Sequence, residues 1–148
     1  MSEAAAPAPR GRYVAAVVHG DAAHSAGMTP RRSDGVLLVT GRVGAGTDLA
    51  TAVDAAGLAA RNALAACADA AACAGRTLLR PVAMTVWVAC TDAFTAHSAV
   101  ADGASAVLAD HFGQDGLPAR AAVGVCSLPG GSPVEVALVV ALAPDRPR

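Results

Sequence analysis

The sequence predicts an α+β fold, one mixed β-sheet with two helices on one face. Three observations lead there. Residues 49–74 and 98–112 carry apolar side chains at steps of three and four, the period of a helix with one buried stripe. About six other stretches show the alternation or the β-branched enrichment of strands. Two helices are too few to cover both faces of such a sheet, which favours a single covered face over a doubly wound arrangement. The chain has 148 residues, 54% of them hydrophobic, enough for one core.

In chain order, residues 1–10 are Ala- and Pro-rich without a period and read as a flexible arm. The domain proper is expected over 11–143, with a short tail at 144–148. A first strand over 13–18 ends at the Gly20-Asp21 turn signal, a partner strand over 22–29 runs to Pro30, and a short third strand is expected over 35–39. The glycine-rich stretch 41–46 reads as a turn; it lacks the Gly-Lys-Ser/Thr end of a phosphate loop.

The first helix is expected from Leu49 to Ala74, capped by Asp48 or Thr47 and ended by Gly75. Its stripe, Val53, Gly57, Ala60, Leu64, Cys67 and Ala71, is made of small side chains, so the helix can lie close to its sheet. Asn62 falls off that stripe. Residues 81–91 are the clearest strand, apolar on both faces as a central strand should be. The second helix spans 98–112 with Val100, Ala104, Val107, Leu108 and Phe112 inward. Strands over 119–126 and 134–141 complete the order β-β-β-α-β-α-β-β.

Net charge is −1 and only 16% of residues are charged, so nothing supports a nucleic-acid partner electrostatically; Arg31-Arg32 is too short a basic cluster to alter that. No apolar run is long enough for a membrane span and no targeting stretch is evident, which implies a cytoplasmic protein. Cys67, Cys73, Cys90 and Cys126 lack the close pairing of a metal site and read as small core residues in a reducing compartment. The four histidines are scattered, so no metal is expected. Alanine abundance and 3% aromatics make a thin core. With one sheet face uncovered, including Trp87 and Val139, packing against further copies is the economical remedy.

Two charges interrupt otherwise apolar strands. Arg120 lies within Ala119–Val125 and Glu135 within Val134–Val140. Burying either alone would be costly. Arg120 is either a strand-end arginine that reaches solvent or pairs with a surface acid, or a receptor for a carboxylate, whose two oxygens match two parallel guanidinium donors. Glu135 is either an edge charge that discourages strand pairing or an acceptor that orients a water or holds an amine. A simple hairpin of the last two strands would separate them by about 20 Å at roughly 3.3 Å per residue. They meet only if the strands are not neighbours or if two chains supply one each.

The stretch Ala119-Arg120-Ala121-Ala122-Val123-Gly124-Val125-Cys126-Ser127-Leu128-Pro129, followed by Pro133-Val134-Glu135-Val136, resembles the C-terminal signature of the Rid (reactive intermediate deaminase, YjgF) family. Tyr13-Val14 with Gly20-Asp21, Ala26-Gly27-Met28-Thr29-Pro30 and Ala60-Arg61-Asn62-Ala63-Leu64 follow the family's order, and Asp102-Gly103-Ala104-Ser105 with His111-Phe112-Gly113 point to a divergent branch. The resemblance covers roughly residues 12–142.

It implies a chorismate mutase-like α+β domain, a homotrimer, and small anionic metabolites bound between subunits. It implies a hydrolytic deaminase that converts 2-imino or enamine carboxylic acids to 2-keto acids and ammonia, without metal or organic cofactor. Arg120 would clamp the substrate carboxylate and Glu135 would hold the attacking water. Tyr13, Gly27 and Asp102 would line the substrate site, Asp102 standing where the family carries an asparagine. Ala26 and Ala122 replace a serine and a cysteine common in the deaminases, which leaves open a non-catalytic, carboxylate-binding or regulatory trimer.

Overall fold

The computed structural model describes residues 5–144. It contains β1 (Ala16–His19), β2 (Ala22–Ser25), the two-residue strands β3 (Arg42–Val43) and β4 (Gly46–Thr47), α1 (Leu49–Cys73), β5 (Leu78–Ala89), α2 (His97–Phe112), β6 (Ala119–Val125) and β7 (Val134–Leu142). The main sheet has the order β1-β2-β7-β5-β6; β5 and β6 are parallel and the other pairs antiparallel. It is the expected mixed sheet with both helices on one face: α1 lies over β1, β2 and β7, α2 over β5 and β6.

The expected strand over 35–39 does not form. Asp34 Oδ1 accepts the Val36 backbone N–H at 2.9 Å and Gly35 takes φ 80°, so the chain turns there and only a single bridge, Arg31 to Leu37, remains. The stretch 41–46, expected as a turn, turns at Gly44 (φ 91°) and carries β3 and β4 on either side. The first two strands are also shorter than expected: Tyr13 and Val14 precede β1, and the chain leaves β2 at Ala26 to rejoin β7 through the Met28–Val136 bridge. Of the expected arm and tail, residues 1–4 and 145–148 lie outside the described residues; Pro7 to Arg10 line a cavity.

Helix α1 starts where Asp48 accepts the Thr51 backbone N–H at 2.7 Å, a bond that holds its carboxyl below the usual range. Gly75, at φ 68°, turns the chain away at the other end. The core is formed by Met84, Val86 and Val88 of β5 and Val134, Val136, Leu138 and Val140 of β7 against the alanines of α1 and Val100 and Leu108 of α2. The small side chains let the helices come very close. A Cβ on Gly103 would lie 2.1 Å from the Val53 carbonyl oxygen, so the crossing requires glycine.

Asn62, expected off the apolar stripe of α1, is nevertheless buried: its Nδ2 donates to Thr29 O at 3.1 Å and Arg31 O at 2.9 Å. The cysteines also divide. Cys67 and Cys90 are buried as expected, the thiol of Cys67 pushed up to about 12 by burial, but Cys73 and Cys126 are exposed. Among the described residues no helix is long and apolar enough to cross a membrane.

The second sheet face has no covering layer among the described residues. Along β7, Glu135, Ala137 and Val139 alternate with the buried residues, and Trp87 of β5 stands between Glu135 and Val123 in register.

Candidate functional site

Glu135 is the second residue of β7, on the uncovered face. The Met28–Val136 bridge, with Met28 N–H to Val136 O at 2.8 Å and Val136 N–H to Met28 O at 2.9 Å, brings the segment after β2 alongside it. That segment has glycine where Glu135 lies: a Cβ on Gly27 would fall 1.8 Å from Glu135 Oε1. The absent side chain is therefore the space the carboxylate occupies. Burial raises the pKa of Glu135 above the ordinary carboxyl value, and no described residue offers it a hydrogen bond or an ion pair.

Glu135 and Gly27 line a cavity of about 320 Å³ together with Tyr13, Ala26, Met28, Thr29, Pro129 and residues 7–10. Three of the five residues expected at the site, Tyr13, Gly27 and Glu135, are thus in one place. Tyr13 is half exposed, its Oη accepting the Arg10 backbone N–H at 3.4 Å. Arg10 and Arg31, which the sequence did not single out, also line it. Arg31 had one visible signal, its position four residues after Gly27 in the same loop.

The other two, Arg120 and Asp102, lie elsewhere. Arg120 pairs with buried Met84 on β5 and points to the helix face, where its Nη1 donates to Asp102 Oδ1 and Ser105 Oγ on α2, both at 2.8 Å. Its Nη2 makes a long contact to Ser98 O at 3.5 Å. A guanidinium has five N–H donors, and among the described residues Nε has no hydrogen-bond partner. Asp102 itself is largely exposed and acts as the partner that orients Arg120. Arg120 and Glu135 flank β5 on opposite sides, in register with Met84 and Trp87 respectively, and face opposite sides of the sheet. The hairpin considered from sequence does not exist, because β6 and β7 are not neighbours. One chain does not bring the two charges together.

Beyond Arg120 on the same face of β6, Gly124 leaves room for a contact between Cys90 Sγ and His97 Nε2 at 3.5 Å; a Cβ there would lie 2.5 Å from that nitrogen. Phe94 and Cys126 complete a shallow depression around the pair. Among the described residues no three His, Cys, Asp or Glu side chains gather as a metal site.

The chain was compared with known proteins. The family model described as Endoribonuclease L-PSP matches residues 3–142. Protein TCP17 of Trypanosoma cruzi is 36% identical over 139 residues, covering 93% of this chain and 86% of that protein. Among solved structures, Atu1372 of Agrobacterium tumefaciens, a protein of unknown function, is 34% identical with a TM-score of 0.81, over 92% of this chain and 86% of that one. Escherichia coli TdcF, solved with bound serine, shares the fold with a TM-score of 0.64 at 23% identity, over 92% of each chain.

Proposed function

This chain belongs to the Endoribonuclease L-PSP family, the family also called Rid or YjgF, and from that membership we propose that it is a cofactor-independent hydrolytic deaminase of small 2-imino and enamine carboxylic acids. The observation that carries the reading is Glu135: a half-buried carboxyl of raised pKa, without a partner among the described residues, set against a glycine in a small cavity that also holds Tyr13. A fold relative whose structure holds serine is consistent with a ligand of that size.

In this reading the protein is a chorismate mutase-like homotrimer. The uncovered sheet faces pack together, and each site takes Glu135, Gly27 and Tyr13 from one copy and Arg120 from the next. The Nε edge of the Arg120 guanidinium binds the substrate carboxylate, with Asp102 and Ser105 fixing its orientation. An enamine first tautomerises to the imine. Glu135 accepts a hydrogen bond from a water and aligns it with the imine carbon. Water adds to the imine carbon and the proton it sheds passes through Glu135 to the nitrogen, giving a carbinolamine; a second proton then passes through Glu135 from the hydroxyl to the amine as the C–N bond breaks and the C=O bond forms. The products are a 2-keto acid and ammonia. A carboxyl whose pKa burial has raised takes up and returns these protons more readily than an exposed one.

Ribonucleolysis, which the family description names, gains no support from a net charge of −1. The test is keto-acid release from 2-aminoacrylate or 2-iminobutanoate generated in place. Acceleration over spontaneous hydrolysis is expected, with Arg120→Ala reducing it by about 10²-fold or more. Saturable keto-acid binding without turnover of any imine would replace the deaminase by a non-catalytic carboxylate binder, the reading that Ala26 and Ala122 leave open.

A further inference from the structure

The cavity beside Glu135 carries more positive charge than a monocarboxylic substrate needs. Arg10 Nη2 and Arg31 Nη1 both donate to one acceptor, Gly35 O, at 2.8 and 2.9 Å. Both residues line the cavity. Two guanidiniums converging on a single carbonyl repel one another, an arrangement that an anion between them would relieve. The described acids do not relieve it. Arg32, Arg76 and Arg120 have carboxylate partners within 4.0 Å, in Asp34, Asp21 and Asp102, whereas Arg10 and Arg31 have none among the described residues. Each spends one of its five donors on Gly35 and keeps the rest.

The pair is also held in place. Asn62 of α1 anchors the Arg31 backbone through its carbonyl, and Arg31 N–H closes on Thr29 O at 2.8 Å. Gly35, at φ 80°, leaves the space Arg10 occupies, since a Cβ there would lie 2.9 Å from Arg10 Nη2. Preorganised donors bind an anion with less loss of side-chain freedom than mobile ones.

We propose that Arg31 and Arg10 form a subsite for a second acidic group, so that the preferred substrates are 2-imino dicarboxylic acids. This rests on the deaminase reading: Arg120 of another copy grips the carboxylate next to the imine, and the Arg31–Arg10 pair grips the distal one across the cavity from Glu135. A bidentate guanidinium–carboxylate contact is the strong form of this interaction.

The test measures binding of the product analogues 2-oxoglutarate and oxaloacetate, against pyruvate and 2-oxobutanoate, to the full chain by calorimetry. Wild-type protein is expected to bind the diacids at least about tenfold more tightly, and Arg31→Gln to bring the diacid-to-monoacid ratio close to one. Turnover of imines generated from glutamate and from 2-aminobutyrate should show the same change in ratio. Equal affinity for both classes in the wild type, or an equal loss for both in Arg31→Gln, overturns the subsite while leaving a deaminase of monocarboxylic imines intact. Absence of binding and turnover for both classes overturns the subsite and the deaminase reading together.

Discussion

Arg120 and Glu135 are both single charges in apolar strands, yet the sheet puts them in opposite circumstances. Arg120, on the helix face, has two firm side-chain partners, Asp102 and Ser105, and is oriented before any ligand arrives. Glu135, on the uncovered face, has no partner among the described residues and a pKa raised by burial. The first is a held receptor and the second a poised acceptor. Since β5 and the thickness of the sheet separate them, a site that uses both draws them from two copies of the chain.

Complementation is the sharpest way to break that comparison, because its effect runs from no activity to measurable activity. Arg120→Ala and Glu135→Gln homo-oligomers should each lose about 10²-fold or more in kcat/KM. Co-expressed and co-purified, the two variants should regain activity, because a mixed assembly contains a site with Arg120 from one copy and Glu135 from another. Mixed assemblies, verified by tag pull-down, that stay as inactive as the parents would place the two residues in unrelated roles.

A second contrast lies between two glycines that both lack room for a methyl group. At Gly103 the obstacle is the backbone oxygen of Val53, which cannot move without shifting α1. At Gly27 it is the far end of the Glu135 side chain, which can rotate away. Gly103→Ala should therefore cost about 3 kcal/mol of stability. Gly27→Ala should change stability by less than about 1 kcal/mol and reduce turnover roughly 10²-fold by moving the carboxylate. Denaturant titration beside an activity assay checks both, and an unfolded Gly27→Ala with an active, stable Gly103→Ala would reverse the assignment.

The fold was largely legible because its long elements have strong periods: α1, β5, α2, β6 and β7 fall within three residues of the expected bounds at every end. The failures are local and have local causes. The stretch 35–39 has β-branched residues, but Asp34 and Gly35 turn the chain. Asn62 fell off the stripe because periodicity locates a polar residue relative to one face only, whereas α1 is buried by both the sheet and α2. Glu135 and Arg120 were visible as charges in apolar strands, but their faces were not. Face depends on which strand each pairs with, and the non-local order β7-β5-β6 is not written in any one segment. Arg31 was passed over because a short basic pair is judged by its size, while its meaning comes from the cavity wall it reaches.

The smallest expected effect concerns stability rather than rate. The folded protein binds a proton at Glu135 more tightly than the unfolded chain does, since burial raises the pKa. Below the ordinary carboxyl value the group is protonated in both states and costs nothing through ionisation. As pH rises from there through the raised folded value, the unfolded chain ionises first and stability falls; above that value the loss is complete. Glu135→Gln removes the ionisation, so its melting temperature should exceed that of the wild type at pH 7 and the gap should close toward pH 4. Thermal melts of both proteins across that range read it directly. A gap that is constant with pH, or that widens in acid, would mean that Glu135 is not desolvated and that the unpartnered carboxyl on the uncovered face is no different in kind from an ordinary surface glutamate.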